Sequence, residues 1–289
     1  MTIDIDKARD WLRDEVDCET CAHIGLRASG DCRLLHACVH DRYARRIDRF
    51  FNWNPALADA YITHPHFEVR AIAANHASVF LLPMLLDDAE ETVRWNAARR
   101  LPKRFVLRLR NDPHREVRMR VATLLDGEEL APMISDQDCY VRLVLASRIA
   151  PALLGLLMSD DEPEVRRVVA IRVPNEWLLG MVNDPNGAVR LEVARRLCAD
   201  SLSMLRRDPD WRVRYEVASR VTAAGLAELT KDEDQMVQEV PPCAWPPGPN
   251  DRETVWHEQH HSRQRGGRVD WAAFLQLRRK GASQPYHPQ

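Results

Sequence analysis

The sequence predicts an all-α protein, an α-solenoid of short two-helix repeats with a small cysteine-rich module before it. Three observations lead to this fold class. A Val-Arg pair recurs every 24 residues, an alanine follows each of these valines at the same distance, and no stretch alternates polar and apolar residues as a strand would. A single unit cannot bury its apolar face alone, so successive units must stack.

The first helix of each repeat carries the Val-Arg pair and the alanine. The pairs begin at Val69, Val93, Val117, Val141, Val165, Val189 and Val213. The alanines, five residues later, are Ala74, Ala98, Ala122, Ala146, Ala170, Ala194 and Ala218. Apolar residues around them fall at helical spacing, and a small alanine allows neighbouring helices to approach closely. This column is therefore predicted to lie in the core.

An aspartate precedes every unit and is interpreted as the N-cap of the first helix. These residues are Asp88, Asp112, Asp136, Asp160, Asp184, Asp208 and Asp232. Pro113, Pro185 and Pro209 follow directly, and proline is favoured at the first helical position. We expect each helix to begin at this point.

The second half of each repeat is predicted to form another short helix. Its core positions are thirteen and sixteen residues after the valine, as in Leu154 and Leu157, while Ile149 represents an apolar position eight residues after it. Before the first full unit, residues 54–65 read as a half repeat with Leu57 in phase. The ends of a solenoid commonly carry such atypical units.

Arginines recur one and seven residues after the valine, so stacking would align them as two stripes, for example Arg166 and Arg172. Such stripes could follow a nucleic-acid backbone. The favoured interpretation is internal: the first set pairs with neighbouring aspartates, and the second complements the C-terminal ends of helices.

Four cysteines lie just before the solenoid, Cys18, Cys21, Cys32 and Cys38, in the spacing C-x2-C-x10-C-x5-C. Four thiolates suit either a structural zinc ion or an iron–sulfur cluster. The absence of a second Cys-x2-Cys pair favours the cluster over a zinc ribbon. Basic residues nearby could offset thiolate charge, although for most of them a solvated helix face is the favoured interpretation, and histidines could contact the ligands. These residues are Arg27, Arg33, Arg42, Arg45, Arg46, His23, His36 and His40.

These cysteines, together with repeats such as residues 184–198 (DPNGAVRLEVARRLC), resemble the leucine-rich repeat variant family over residues 15–240. The resemblance implies alternating α and 3₁₀ helices in a right-handed superhelix without a sheet. It also implies a 4Fe–4S cluster on Cys18, Cys21, Cys32 and Cys38. The signature of strand-lined leucine-rich repeats is missing, and the units look closer to HEAT-type repeats.

The predicted domains are a cysteine module at residues 1–50, the solenoid at 51–240 and a proline-rich tail at 241–289 with a possible amphipathic helix over residues 269–280. In the tail, His257, Glu258 and His261 match the zinc-protease pattern His-Glu-x-x-His. Because no third ligand is evident, the match is interpreted as accidental. Cys139 and Cys198 are expected to be ordinary buried packing residues.

Composition restricts the function classes. The net charge is only −2, so no overall field attracts nucleic acid or membranes. The N-terminus has no secretory pattern, and no apolar run is long enough to span a bilayer, which predicts a cytoplasmic protein.

With no catalytic motif evident, an enzyme is not favoured. The preferred function is a cluster-bearing scaffold that holds another protein. Electron transfer and a zinc-stabilised or nucleic-acid-binding repeat protein are the alternatives, and the oligomeric state is left open.

Overall fold

A computed structural model describes residues 7–221 and 223–240, which divide between Val217 and Ala218 into two compact units. These residues are mostly helical and contain no strand; the extended pairings among them are two isolated bridges, Arg9 with Glu15 and Arg33 with Ala37. The prediction of an all-α helical-repeat solenoid is confirmed.

Each repeat consists of an α-helix and a 3₁₀ helix. The α-helices are Phe67–Ala73, Glu91–Ala98, Arg115–Leu124, Cys139–Arg148, Pro163–Arg172, Gly187–Arg196 and Trp211–Ala218. The 3₁₀ helices are Pro55–Tyr61, Leu82–Asp87, Leu107–Asn111, Gly127–Met133, Pro151–Leu157, Asn175–Met181 and Ser203–Leu205. Two of the latter are preceded by one α-helical turn, Lys103–Val106 and Ala199–Leu202. The alternation implied by the family resemblance is present.

The predicted core columns are buried. Every alanine of the first helix has no exposed surface, and Leu154 and Leu157 on the 3₁₀ side are 0% and 2% exposed. In the half repeat, Ala58 is buried and Leu57 is only partly so, which corrects the predicted register by one residue. Since each apolar column is shared between neighbouring units, burial depends on stacking rather than on any one repeat.

The aspartates are not the N-caps that the sequence suggested. Helix Gly187–Arg196 is capped by Asn186, whose side chain accepts the Ala188 amide at 2.8 Å. Asp184 stands two residues earlier, where its carboxylate accepts the Asn186 amide at 2.8 Å, and Pro185 lies outside the helix. The aspartate is placed here because its carboxylate is held by an arginine of the preceding repeat.

This arginine contact repeats along the solenoid. Arg166 donates through Nε to Asp184 Oδ2 at 2.7 Å and through Nη2 to Asp184 Oδ1 at 3.0 Å. Its Nη1 donates to the carbonyl of Asp160 at 2.6 Å, at the start of its own repeat. The equivalent ion pairs are Arg70–Asp88, Arg94–Asp112, Arg118–Asp136, Arg142–Asp160 and Arg190–Asp208. The result is a continuous ladder of buried or half-buried ion pairs that joins each unit to the next.

The second arginine set also faces inward. Arg196 Nη1 donates to the Ala170 carbonyl at 2.8 Å, and Arg172 Nη2 donates to the Ile149 carbonyl at 2.9 Å, in each case in the preceding repeat. The favoured interpretation of both stripes is therefore confirmed. These guanidinium groups satisfy carbonyls at helix C-terminal ends, which would otherwise lack hydrogen-bond partners.

Two further helices, Ile24–Ser29 and Ala44–Trp53, belong to the cysteine module. The second of them runs across the predicted boundary at residue 50, and the domain limits stay a prediction. In the second unit, helices Ala223–Leu229 and Gln235–Gln238 bury Leu226, Leu229 and Val237. The predictions for the tail, including its His-Glu-x-x-His pattern, lie outside the described residues.

Candidate iron–sulfur centre

The first short helix brings the third cysteine back towards the first two. Cys21 O accepts the Ile24 amide at 3.1 Å as the helix begins, and Gly30 ends it in the left-handed region at φ 88°. The Leu26 carbonyl then accepts the amides of Asp31 at 2.8 Å and Cys32 at 3.0 Å. A residue with a side chain would be strained at Gly30, so glycine permits the reversal.

The fourth cysteine follows a closed turn. Arg33 and Ala37 exchange two backbone hydrogen bonds of 2.8 Å, with Leu35 between them at φ 61°. The Cys38 amide donates to the Arg46 carbonyl at 3.2 Å, in helix Ala44–Trp53. Cys32 and Cys38 are thus fixed at the two ends of one turn that rests on the longer module helix.

All four cysteines are free thiols. Cys38 is 3% exposed, whereas Cys18, Cys21 and Cys32 are partly exposed. Burial raises the pKa of the Cys32 thiol, and the charges of Cys21 and Cys18 raise it further, while a hydrogen bond with Cys38 opposes the shift. Because these interactions require proximity, the structure brings the four predicted residues into one neighbourhood. In the part of the chain that is described, no three Cys, His, Asp or Glu side chains are arranged to hold a single metal ion.

The thiols are also engaged by the backbone. The His23 amide donates to Cys21 Sγ at 3.3 Å. Burial raises the pKa of Cys38 to about 12, against the opposing effect of the His40 and Asp41 amides. A buried thiol of this kind stays protonated until a cation or cluster compensates its charge.

Histidine and aromatic side chains surround the cysteines. His23 Nε2 and the Tyr61 hydroxyl are hydrogen-bonded, and the His23 ring lies 5.3 Å from Phe50 and 6.1 Å from His40 between centroids. Burial is the main cause that raises the pKa of Tyr61 to about 12, and the charges of Cys21, Cys38 and Cys32 raise it as well, each by less. Cys21, Cys38 and Cys32 are therefore close enough to Tyr61 for their charges to act on its hydroxyl. Burial lowers the pKa of both His23 and His40, which favours their neutral forms.

Tyr61 was missed by the sequence analysis, although a signal existed. It stands 24 residues before Leu85, in the column that is otherwise leucine or methionine, and it ends the first 3₁₀ helix. A tyrosine in an apolar column indicates a hydroxyl that needs a partner. Its partner His23 comes from the cysteine module, so the first unit of the solenoid contributes directly to the site.

The other predicted neighbours take different roles. Arg27 lowers the pKa of Cys32 through its charge, a smaller effect than burial. Arg46 pairs with buried Asp41 at 2.9 Å, and His36 is held by Arg49 at 2.9 Å. Of the two cysteines expected to be buried packing residues, Cys198 is exposed and Cys139 is only partly buried.

This set of donors fits an iron–sulfur cluster. Four free thiols occupy one neighbourhood, a sulfur accepts a backbone N–H, and the His23 ring lies between the Tyr61 ring at 5.8 Å and the buried Phe50 ring at 5.3 Å. These are the ligand type, ligand number and surroundings by which proteins hold and tune such clusters.

Comparison with known proteins agrees with this fit. A family described as "LRV protein FeS4 cluster" matches residues 8–60. A 27.7 kDa protein of the nifB 3′ region in Rhodobacter capsulatus is 50% identical over 93 residues, which cover 32% of this chain and 38% of that protein. This chain therefore matches well under half the length of that relative.

A solved structure, described as a leucine-rich repeat variant with a novel repetitive structural motif, is 40% identical. The match covers 77% of this chain and 96% of that one, with a TM-score of 0.74. Among the described residues, no helix combines the length and apolar character needed to cross a membrane. The N-terminal region of the present chain is a 4Fe–4S cluster-binding module, and the chain belongs to the leucine-rich repeat variant family.

Proposed function

We propose that Cys18, Cys21, Cys32 and Cys38 each supply one thiolate to the 4Fe–4S cluster. Support comes from their common neighbourhood and their free thiols. When bound, the cluster can accept and release one electron. The protein's own groups keep water from the buried side and hold the ligand turns in place.

We further propose that the solenoid is a scaffold for another protein and that the cluster fixes or senses the state of its N-terminal end. The observation that carries this proposal is the contact between module and solenoid: His23 bonds to Tyr61, whose ring also lies 5.5 Å from Phe51. This contact is the route by which a change at the cysteines would reach the first 3₁₀ helix. Stacked helices provide a long surface for macromolecules.

The test begins with anaerobic purification and assays for iron, sulfide and zinc. A brown protein with about four iron atoms per chain is expected. Hydrogen exchange then compares loaded and chelator-treated protein. The expected result is lost protection over residues 55–61 after iron removal, with protection at residues 115–196 unchanged. Unchanged exchange at residues 55–61 would contradict the coupling, and zinc without iron would contradict the cluster.

Electron transfer is a second candidate function. Three of the four cysteines are partly exposed, so the site lies near the protein surface. Electron exchange with another protein requires a short distance between the cluster and the protein surface. A reversible one-electron couple in a redox titration would support this function, whereas a cluster that only decomposes on reduction would leave the scaffold function alone.

Nucleic-acid binding receives less support. Arginines such as Arg166 and Arg196 are directed to carboxylates and carbonyls of neighbouring repeats, so they do not form an open basic stripe. Affinity for duplex DNA or RNA that falls steeply with salt would restore that hypothesis.

A further inference from the structure

An apolar and basic surface lies on the turn between Cys32 and Cys38. We call it the Leu35 patch and define it by Arg33, Leu34, Leu35, Arg45 and Trp53. Leu34, Leu35 and Trp53 are 36%, 39% and 41% exposed. Three large apolar side chains are exposed on one small turn and the helix that supports it. Because exposed apolar groups add little to the packing of the fold, this clustering indicates a surface that contacts a partner.

The backbone of the turn supports this distinction. Leu35 adopts φ 61°, in the left-handed region, although glycine or asparagine would adopt it at lower cost. Because the Leu35 side chain is partly exposed, little burial offsets this cost within the protein. Such strain is often retained where a side chain is needed for function.

The turn and the longer helix form one surface. Arg49 Nη1 donates to the His36 carbonyl at 2.8 Å, and the Trp53 ring lies 5.5 Å from the His36 ring. Arg45, Arg49 and Trp53 are spaced by four residues, so they follow one face of helix Ala44–Trp53. His36 is thus tied to this helix by Arg49 and lies against Trp53, and it directly follows Leu34 and Leu35 in the turn.

The charge of the patch is positive. Arg33 and Arg45 are exposed, and neither forms an ion pair with another described residue. Asp31, the acidic residue nearest to Arg33 in sequence, accepts a hydrogen bond from the Ser29 hydroxyl at 2.7 Å, and Asp48, one turn after Arg45, lies 3.6 Å from the His76 ring. Exposed cations around an apolar centre fit a protein partner with acidic groups around its own apolar contact.

We propose that the Leu35 patch docks a small acidic one-electron carrier protein. This inference rests on the electron-transfer candidate above, because the patch belongs to the turn that joins Cys32 to Cys38. A carrier bound here would lie next to two of the four proposed ligands. One electron passes from the reduced carrier, which is oxidised, to the cluster, which is reduced, and no bond is formed or broken.

The experiment uses the loaded full chain and, as the probe, an acidic plant-type 2Fe–2S ferredoxin. Titration calorimetry measures binding at several salt concentrations, and anaerobic stopped flow measures cluster reduction by the ferredoxin and, separately, by dithionite. We expect affinity to fall with salt. The double variant Arg33→Glu and Arg45→Glu should weaken binding about tenfold or more, while the chain keeps its iron content and its melting temperature.

Two controls separate docking from folding. Arg99→Glu with Arg104→Glu reverses two exposed charges on the solenoid and should leave the affinity unchanged. Leu35→Gly relieves the left-handed strain, so it should keep the melting temperature while it weakens binding several-fold. Equal affinity of wild type and the Arg33/Arg45 variant, or binding insensitive to salt, would overturn the proposal. Failure of dithionite to reduce the cluster would instead reject electron transfer, while calorimetry still reports docking.

Discussion

The cysteine module and the repeats differ in how they are stabilised. In the repeats, one arrangement is used again and again: an alanine column, an apolar 3₁₀ column and an arginine–aspartate pair such as Arg166–Asp184. The module has two short helices and two isolated bridges, and its contacts occur once each. The solenoid thus distributes its stability over many equivalent contacts, whereas the module has few, and we expect it to depend on its cluster as well. Four variants test this difference.

The largest effect is expected at the cofactor. Cys38→Ser removes the buried thiol, and the module should lose its iron, its colour and the amide protection of residues 32–61, because metal binding and folding are coupled in small metal modules. Iron analysis, visible absorption and hydrogen exchange measure these changes. Cys198→Ser, at an exposed thiol, is the matched control and should keep its iron. Full iron content in Cys38→Ser would refute the ligand assignment.

A smaller but still large loss is expected for Asp184→Ala. The variant leaves the Arg166 guanidinium buried without its carboxylate partner, which typically costs about 3–5 kcal/mol of unfolding free energy. A simple N-cap would cost only about 1 kcal/mol. Urea unfolding distinguishes the two. The control is Asp161→Ala, at the exposed residue that follows Asp160, the equivalent of Asp184 in the preceding repeat. Its unfolding free energy should stay within about 0.5 kcal/mol of the wild-type value.

Overpacking the alanine column comes next. Ala170 has no exposed surface, so Ala170→Leu forces neighbouring helices apart and should cost about 1–3 kcal/mol. The same substitution at exposed Ala152, on the 3₁₀ side of the adjacent repeat, serves as the control. Equal melting temperatures for the two variants would mean that the column is not an interhelical contact.

The smallest effect is expected where the two regions meet. Tyr61→Phe removes the hydroxyl that bonds to His23 and should cost about 1 kcal/mol. The more informative measurement is the rate at which a chelator extracts iron, which should increase. Tyr215→Phe, at an exposed site far along the chain, should leave that rate unchanged. If both variants lose iron at the wild-type rate, the hydroxyl does not couple the solenoid to the cluster site.

Much of the solenoid could be predicted because each of its positions is repeated. Ala170 or Leu154 alone would say little, but seven residues in one column average out the exceptions. The interpretation of the aspartates was wrong because capping is a local rule. The carboxylate of Asp184 is instead held by Arg166, 18 residues earlier, and only stacking brings these two residues together. The N-cap function passes to Asn186.

The candidate site was predicted only in part. Cys18, Cys21, Cys32 and Cys38 are recognisable because four thiols in a short segment are unusual outside metal sites. Tyr61 was not found, since its contact with His23 joins residues 38 positions apart. For most arginines near the cysteines the favoured interpretation was a solvated helix face; Arg33 is indeed exposed on the turn, whereas Arg46 pairs with buried Asp41, a contact that the sequence did not indicate.

By itself, the sequence determined the repeat length, the helical class, the core columns and the set of four cysteines, because these follow from periodicity and residue chemistry within short segments. Tertiary structure alone decided the partner of each arginine, the role of each aspartate and the part that Tyr61 plays beside the cysteines. These features depend on which distant groups share a buried environment, and that is fixed only when neighbouring units pack and exclude water.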